Sequence, residues 1–312
     1  MARTAVLAGL VAGAASAGAL KLLRSAPPAG AATWDRTNHA GATVTLLEGP
    51  AWVAGASAGV LAGSAVAGSL AAGAATAATA AAVPGAAAPL VATIASGALG
   101  ALDDLAGDSG SKGLKGHLGA LARGEVTTGA VKVLGLGVTG LLTAALVDRP
   151  RRATGGSASG GTSVTSRTPS PSVVDTLVGG AVVAGSANLL NLLDLRPGRA
   201  LKATVIAGAL LATDRRSRAS AGAALGAAAG LLAPDLAGES MLGDTGANSA
   251  GALLGTALLQ RSGRGGRLAV LALLAGLTLA SERVSFTAVI ESTPGLRELD
   301  ALGRRSVSPS AR

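Results

Sequence analysis

Three short motifs in this 312-residue chain carry the residue types that could do chemistry. The first, Leu102-Asp103-Asp104-Leu105-Ala106-Gly107-Asp108, sets two adjacent carboxylates directly after an apolar run. Neighbouring carboxylates repel one another unless a cation or a lysine neutralises them. Mg²⁺ is held by one or two carboxylates together with substrate phosphates, which suits a half-open acidic site of this kind. The second, Asn188-Leu189-Leu190-Asn191-Leu192-Leu193-Asp194, projects Asn188 and Asn191 from one helix face, with Asp194 almost two turns beyond Asn188. Amides at the end of an apolar span must contact protein, water or ligand. The third, Gly243-Asp244-Thr245-Gly246, opens another apolar stretch, where glycines permit close backbone approach and a helix N-terminus favours an anion. Lys132, inside an apolar run, is placed to hold a phosphate or to neutralise the aspartates. Each feature also has a plain structural use: a solvated helix end, helix–helix hydrogen bonding, an N-cap, or a lysine that snorkels to the interface.

These residues need elements to position them, and the composition says which. The chain is 49% hydrophobic and 14% charged, whereas soluble domains carry about a quarter charged residues. Its apolar mass is mostly Ala, Leu, Val and Gly, and small residues let helices approach closely in lipid. The expected fold is therefore an all-α polytopic membrane protein. Spans of about 20 apolar residues are predicted at Thr4–Leu23, Pro50–Ala75, Pro84–Leu102, Val126–Val147 and Ser172–Leu193. Shorter ones follow at Leu201–Thr213, Ala219–Pro234, Ala247–Leu259 and Gly266–Ala280, making about nine (eight to ten) transmembrane helices. The first run also has the features of a signal peptide, with Ala15-Ser16-Ala17 as a cut site, but the apolar run continues to Leu23 and favours a retained span. Residues 1–282 form the membrane domain, with 151–171 as a flexible exposed loop and 283–312 as a polar tail.

Counting crossings puts the three motifs on one face. Fourteen of the seventeen acidic residues fall there; Asp148, Asp175 and Asp214 fall on the other. Acids outside the motifs, among them Glu48 and Asp235, read as solvated loop. Lys and Arg are nearly balanced between the two faces, so charge does not orient the chain. The absence of cysteine excludes disulfides and thiolate metal sites, and two histidines, His39 and His117, make no metal centre unaided. The net charge of +9 is spread over short loops that suit lipid headgroups, so nucleic acid is not an expected partner.

In this order and on one face, the motifs at 103–104, 188–194 and 243–246 resemble the polyprenyl-phosphate N-acetylhexosamine-1-phosphate transferase family. That family includes phospho-N-acetylmuramoyl-pentapeptide transferase and the UDP-GlcNAc:undecaprenyl-phosphate GlcNAc-1-phosphate transferases. The resemblance covers about residues 34–260. It implies a Mg²⁺-dependent phosphoryl transfer from a UDP-amino sugar to a polyprenyl phosphate, with release of UMP, at the cytoplasmic face of the cell membrane. By carry-over, Asp103, Asp104 and Asp244 are catalytic, with Asp244 and Asp104 on the metal. Asn188, Asn191, Asp194 and Lys132 line the substrate, and Arg196 and Arg199 grip phosphates bidentately. Two departures stand out. Asp194 is followed by Leu-Arg-Pro-Gly-Arg, where the family commonly has a second carboxylate, and 281–305 lacks the histidines of the pentapeptide-transferring branch. An inactive relative that binds polyprenyl phosphate or supports envelope assembly is the alternative reading, with a transporter behind it. Association with a second copy is left open.

Overall fold

The computed structural model describes residues 3–37, 41–72, 85–106, 124, 127–149 and 172–304. The stretch 151–171, both histidines, Asp108 and Glu125 lie outside the described residues. The described chain is almost wholly helical: α1 (Arg3–Ser25), α2 (Glu48–Ala72), α3 (Ala87–Ala106), α4 (Thr128–Asp148), α5 (Val173–Leu193), α6 (Arg199–Leu211), α7 (Arg218–Leu236), α8 (Gly243–Arg261), α9 (Arg264–Ser281), α10 (Phe286–Ser292) and α11 (Leu296–Ala301). A small antiparallel hairpin, β1 (Asp35–Thr37) and β2 (Thr43–Thr45), joins α1 to α2.

Among the described residues seven helices, not nine, are long and apolar enough to cross a membrane: α1, α2, α3, α4, α5, α7 and α9. The all-α multi-pass architecture stands; the expected count does not. Helix α6 has 13 residues, which at 1.5 Å per residue reach about 20 Å, short of the ~30 Å hydrocarbon core. Helix α8 has 19 residues but carries Asp244, Asn248, Gln260 and Arg261 among small residues, and 15 of the 19 are buried. It is sheathed by α3, α5, α2 and α7. The spanning helices turn large apolar side chains outward instead, including Leu10, Leu22, Leu134, Val138, Leu142, Leu273 and Leu279. That pattern is what a lipid-facing surface requires, since lipid does not drive these groups inward.

The nine helices α1–α9 alternate in direction. One end of the bundle collects Arg24 with Glu239, Arg36 with the Asp104 carbonyl, Lys132 with Asp103, and Arg199 with Asp300. The opposite end collects Arg267 with Asp148 and Arg264 with Asp175. The three motifs therefore share one end, here termed the aspartate face.

Glycines set the separation of α3 and α8. A methyl group at Gly100 would run into the Asp244 carbonyl and the Thr245 N–H, so only hydrogen fits there. Gly100→Ala is expected to push α3 off the start of α8, costing on the order of 2 kcal/mol as an overpacked core does. Gly276→Ala is the control, because nothing lies within 4 Å of that position. Thermal unfolding in detergent should separate the two variants; equal midpoints would refute the close approach.

Candidate functional site

The site begins where α3 ends. Asp104 sits in the last turn of α3, and its carboxylate reaches the first turn of α8. It accepts the N–H of Asp244 at 3.0 Å, the N–H of Thr245 at 2.9 Å and the Thr245 hydroxyl at 2.6 Å. The first N–H groups of a helix have no partner within it, and an acidic oxygen there also meets the positive end of the helix dipole. Asp104 thus acts as an N-cap supplied from another helix. Its backbone carbonyl is held by Arg36 from the hairpin at 2.5 Å.

Asp103, one residue earlier, points elsewhere. Its Oδ2 lies 3.2 Å from Lys132 Nζ on the first turns of α4, and Lys132 also donates to Asp244 Oδ2. Lys132 thus bridges Asp103 on α3 and Asp244 on α8. Asn191 closes the group from α5. With its amide turned to satisfy both neighbours, it donates to Asp244 Oδ1 at 2.7 Å and accepts from Lys132 Nζ at 3.3 Å. Four helices thus bring Asp103, Lys132, Asn191 and Asp244 into direct contact. The two aspartate side chains keep 23% and 24% of their surface exposed. Lys132 pairs with both carboxylates.

The remaining expected residues are placed differently. Asn188 donates to the Thr278 hydroxyl on α9 at 3.3 Å, a helix–helix hydrogen bond. Arg196 pairs with Glu291 at 2.6 Å. Arg199 is buried and forks onto Asp300, with Nε to Oδ1 at 2.8 Å and Nη2 to Oδ2 at 3.2 Å, and also donates to Thr287. Both arginines are therefore engaged by the C-terminal helices α10 and α11 and their flanks. Among the described residues no three carboxylate or imidazole groups are grouped as metal ligands. Asp103 and Asp244 still offer the one or two hard oxygen ligands that Mg²⁺ takes when phosphates and water complete its shell. Asp104 fits that role poorly, because three donors already occupy its oxygens.

Asp194 ends α5 and is buried, with the Gly243 N–H as a donor and Oδ2 without a partner. Burial, followed by the nearby charges of Asp235, Asp244 and Asp104, pushes its carboxyl well above the ordinary range. The folded state therefore favours the protonated form. That preference contributes stability at low pH and is lost as pH rises from the unfolded pKa through the folded one. Asp194→Asn is accordingly expected to raise the unfolding midpoint at pH 7 and to leave it nearly unchanged at low pH. A destabilised variant at pH 7 would overturn this reading.

Two further acids on the aspartate face are not solvated loop, contrary to expectation. Glu48 is fully buried, accepts from the Ser240 hydroxyl, and leaves Oε1 unpartnered. Asp235 is 2% exposed and accepts the Gly198 N–H at 3.1 Å, which caps the start of α6. One signal for Asp235 was present in the sequence. An acid at the end of an apolar helix opposes the helix dipole, so it needs a donor from elsewhere. Glu48 gave no comparable signal.

Compared with known proteins, the chain matches no family model and no curated protein.

Proposed function

We propose that this chain is a Mg²⁺-dependent sugar-1-phosphate transferase that joins a UDP-amino sugar to a polyprenyl phosphate at the cytoplasmic face of the cell membrane, in cell-envelope glycan biosynthesis. The observation that carries the reading is the contact of Asp103, Lys132, Asn191 and Asp244, drawn from four helices to one end of a membrane bundle. A phosphomonoester is largely dianionic at neutral pH, its second pKa being about 6. An oxygen of the lipid phosphate attacks the β-phosphorus of the nucleotide sugar. The bond from that phosphorus to the oxygen bridging the α-phosphate breaks, and UMP leaves with the electron pair. Such transfers demand alignment and charge neutralisation more than covalent help from the protein.

Asp103 and Asp244 would hold the metal, which when bound supplies positive charge against the diphosphate. Lys132 keeps the two carboxylates together in its absence and lies within reach of an incoming phosphate. Asn191 orients Asp244 through its amide N–H. Asp104 is a positioning residue: it anchors the first turn of α8 and so fixes where the Asp244 side chain starts. The site is open to solvent at the bundle end while apolar surface surrounds the helices, which suits one water-soluble and one lipid substrate.

The test is UMP release by the purified full chain with undecaprenyl phosphate, Mg²⁺ and a panel of UDP-amino sugars. No release with any donor would end the enzymatic reading. One observation favours a second reading, an inactive relative that binds polyprenyl phosphate or supports envelope assembly: Arg196 and Arg199, the expected phosphate grips, are taken by Glu291 and Asp300. Saturable binding of polyprenyl phosphate without UMP release would select it. A transporter is disfavoured, since the charged cluster sits at one end of the bundle and not midway along it.

A further inference from the structure

Helices α1 and α7 touch along two stripes of i, i+4 spacing. On α1 the stripe runs Gly9, Gly13, Ala17, then Leu20, Lys21 and Arg24; on α7 it runs Gly222, Gly226, Gly230, Pro234. Where both stripes are glycine the backbones are in contact, and a methyl group at Gly13 would sit 2.9 Å from the Gly226 carbonyl oxygen. Toward the aspartate face the α1 stripe changes from glycine to larger side chains. There an open groove of about 350 Å³ is lined by Ala17, Leu20, Lys21, Arg24, Gly230 and Pro234. Its inner walls are apolar and its outer end carries two cations, within the last two turns of a spanning helix.

The charges at that end are incompletely matched. Lys21 is exposed and makes no ion pair among the described residues. Arg24 reaches Glu239 with a single Nη at 3.3 Å, and its other donors have no partner among the described residues. Among the described exposed groups at this end, Lys21 and Arg24 against Glu239 leave one net positive charge, the other nearby acid, Glu48, being fully buried. That balances a phosphodiester with a single negative charge better than a phosphomonoester, which carries about −1.5 to −2 at neutral pH. None of the helices bearing Asp103, Lys132, Asn191 or Asp244 lines the groove.

We propose that this groove is a binding site for an anionic glycerophospholipid of the surrounding bilayer. Its phosphodiester sits between Lys21 and Arg24, and an acyl chain lies along Ala17, Leu20 and Gly230. The lipid wedges α1 and α7 at the end where their glycine contact stops. The site is separate from the reacting cluster and does not depend on the transferase reading.

The experiment uses the delipidated full chain in neutral detergent, with native mass spectrometry for retained lipid and thermal unfolding for stability. Phosphatidylglycerol is expected to remain bound at one per chain and to raise the unfolding midpoint; phosphatidylcholine and inorganic phosphate are not. Lys21→Glu should weaken phosphatidylglycerol binding about tenfold or more, given the usual worth of one basic residue near an anionic surface. Lys21→Arg should retain it, as should Arg215→Glu at the opposite face. Equal stabilisation by phosphatidylcholine, or retention by Lys21→Glu, overturns the proposal. Reproduction of the effect by inorganic phosphate reduces the groove to a simple anion site and overturns it as well. Displacement of phosphatidylglycerol by polyprenyl phosphate at equal concentration would assign the groove to the reacting lipid instead, and the proposal fails there too.

Discussion

Asp244→Asn is expected to lower UMP release by at least about a hundredfold, the scale seen when one charge-stabilising group is removed from a preorganised site, while the protein keeps its unfolding temperature. The reason is where the carboxylate sits. Asp244 contacts Lys132 and Asn191, both on other helices, shares Lys132 with Asp103, and keeps a quarter of its side chain open to solvent. An amide of the same shape preserves packing but loses the negative charge that a cation or Lys132 pairs with. Asp103→Asn should behave alike. Asp104→Ala should differ in kind: losing three hydrogen bonds at the start of α8 costs stability of about 1 kcal/mol or more, as lost N-caps do, and activity falls with it. Measuring kcat and unfolding midpoint for all three variants separates the roles. If Asp104→Ala loses activity as deeply as Asp244→Asn with no loss of stability, the division between metal-facing and positioning aspartates is wrong. Undiminished UMP release from Asp244→Asn would remove the cluster from the chemistry.

The second large effect concerns the C-terminal segment. Asp300→Ala is expected to destabilise the protein by about 3 kcal/mol or more, because removing one partner of a buried ion pair strands the other charge. Arg199 is 5% exposed and Asp300 8%, and Arg304 adds a second guanidinium to the same carboxylate at 2.8 Å. Burial pushes the Asp300 carboxyl up, but hydrogen bonds from Arg199 and Arg304 outweigh it and hold the group at about 2. A depressed folded pKa means the pair stabilises fully above the unfolded value of about 3.8 and loses that contribution as pH falls toward 2. Arg199→Met combined with Asp300→Ala should recover much of the loss, since a buried pair replaced by apolar groups is often neutral. The pair of variants, compared by thermal unfolding at neutral pH, decides the matter. Wild-type stability in the single variant would show that the tail is not anchored there.

How much of this was legible in the residues depends on what kind of information each feature needed. The helices were legible because length and hydropathy are local, and alternation of direction then placed 103–104, 191 and 244 at one end. Parity gives the end of a bundle, not the facing of a side chain. Asp103 and Asp104 are adjacent, yet one joins Lys132 and the other caps α8, a difference set by roughly 100° of rotation per residue and by a partner 140 residues away. Glu48 lies 192 residues from the serine that binds it. The arginines of Arg196-Pro197-Gly198-Arg199 read as phosphate grips because the sequence shows their charge and not the carboxylates that fold back onto them. The count of spans failed at α6 and α8, where an apolar run was too short or too polar to stand in lipid alone. The abundance of small residues announced close helix contacts, but that α1 and α7 meet through Gly9, Gly13, Gly222 and Gly226 emerges only from the fold.

The sheathed helix α8 has a consequence for how this protein is made. A segment with Asp244, Asn248, Gln260 and Arg261, and glycine or alanine over much of its length, gains little by entering lipid unaccompanied, where charged residues cost a few kcal/mol each. Synthesis delivers α2, α3, α5 and α7 first, so the walls that receive it are in place before its own residues emerge. Insertion of α8 is therefore expected to come late and to depend on earlier assembly of those helices. Chains lacking α2 and α3 together, a pair whose loss keeps the direction of the later helices, should leave α8 outside the membrane, accessible to a water-borne thiol reagent at a cysteine introduced at Ala250.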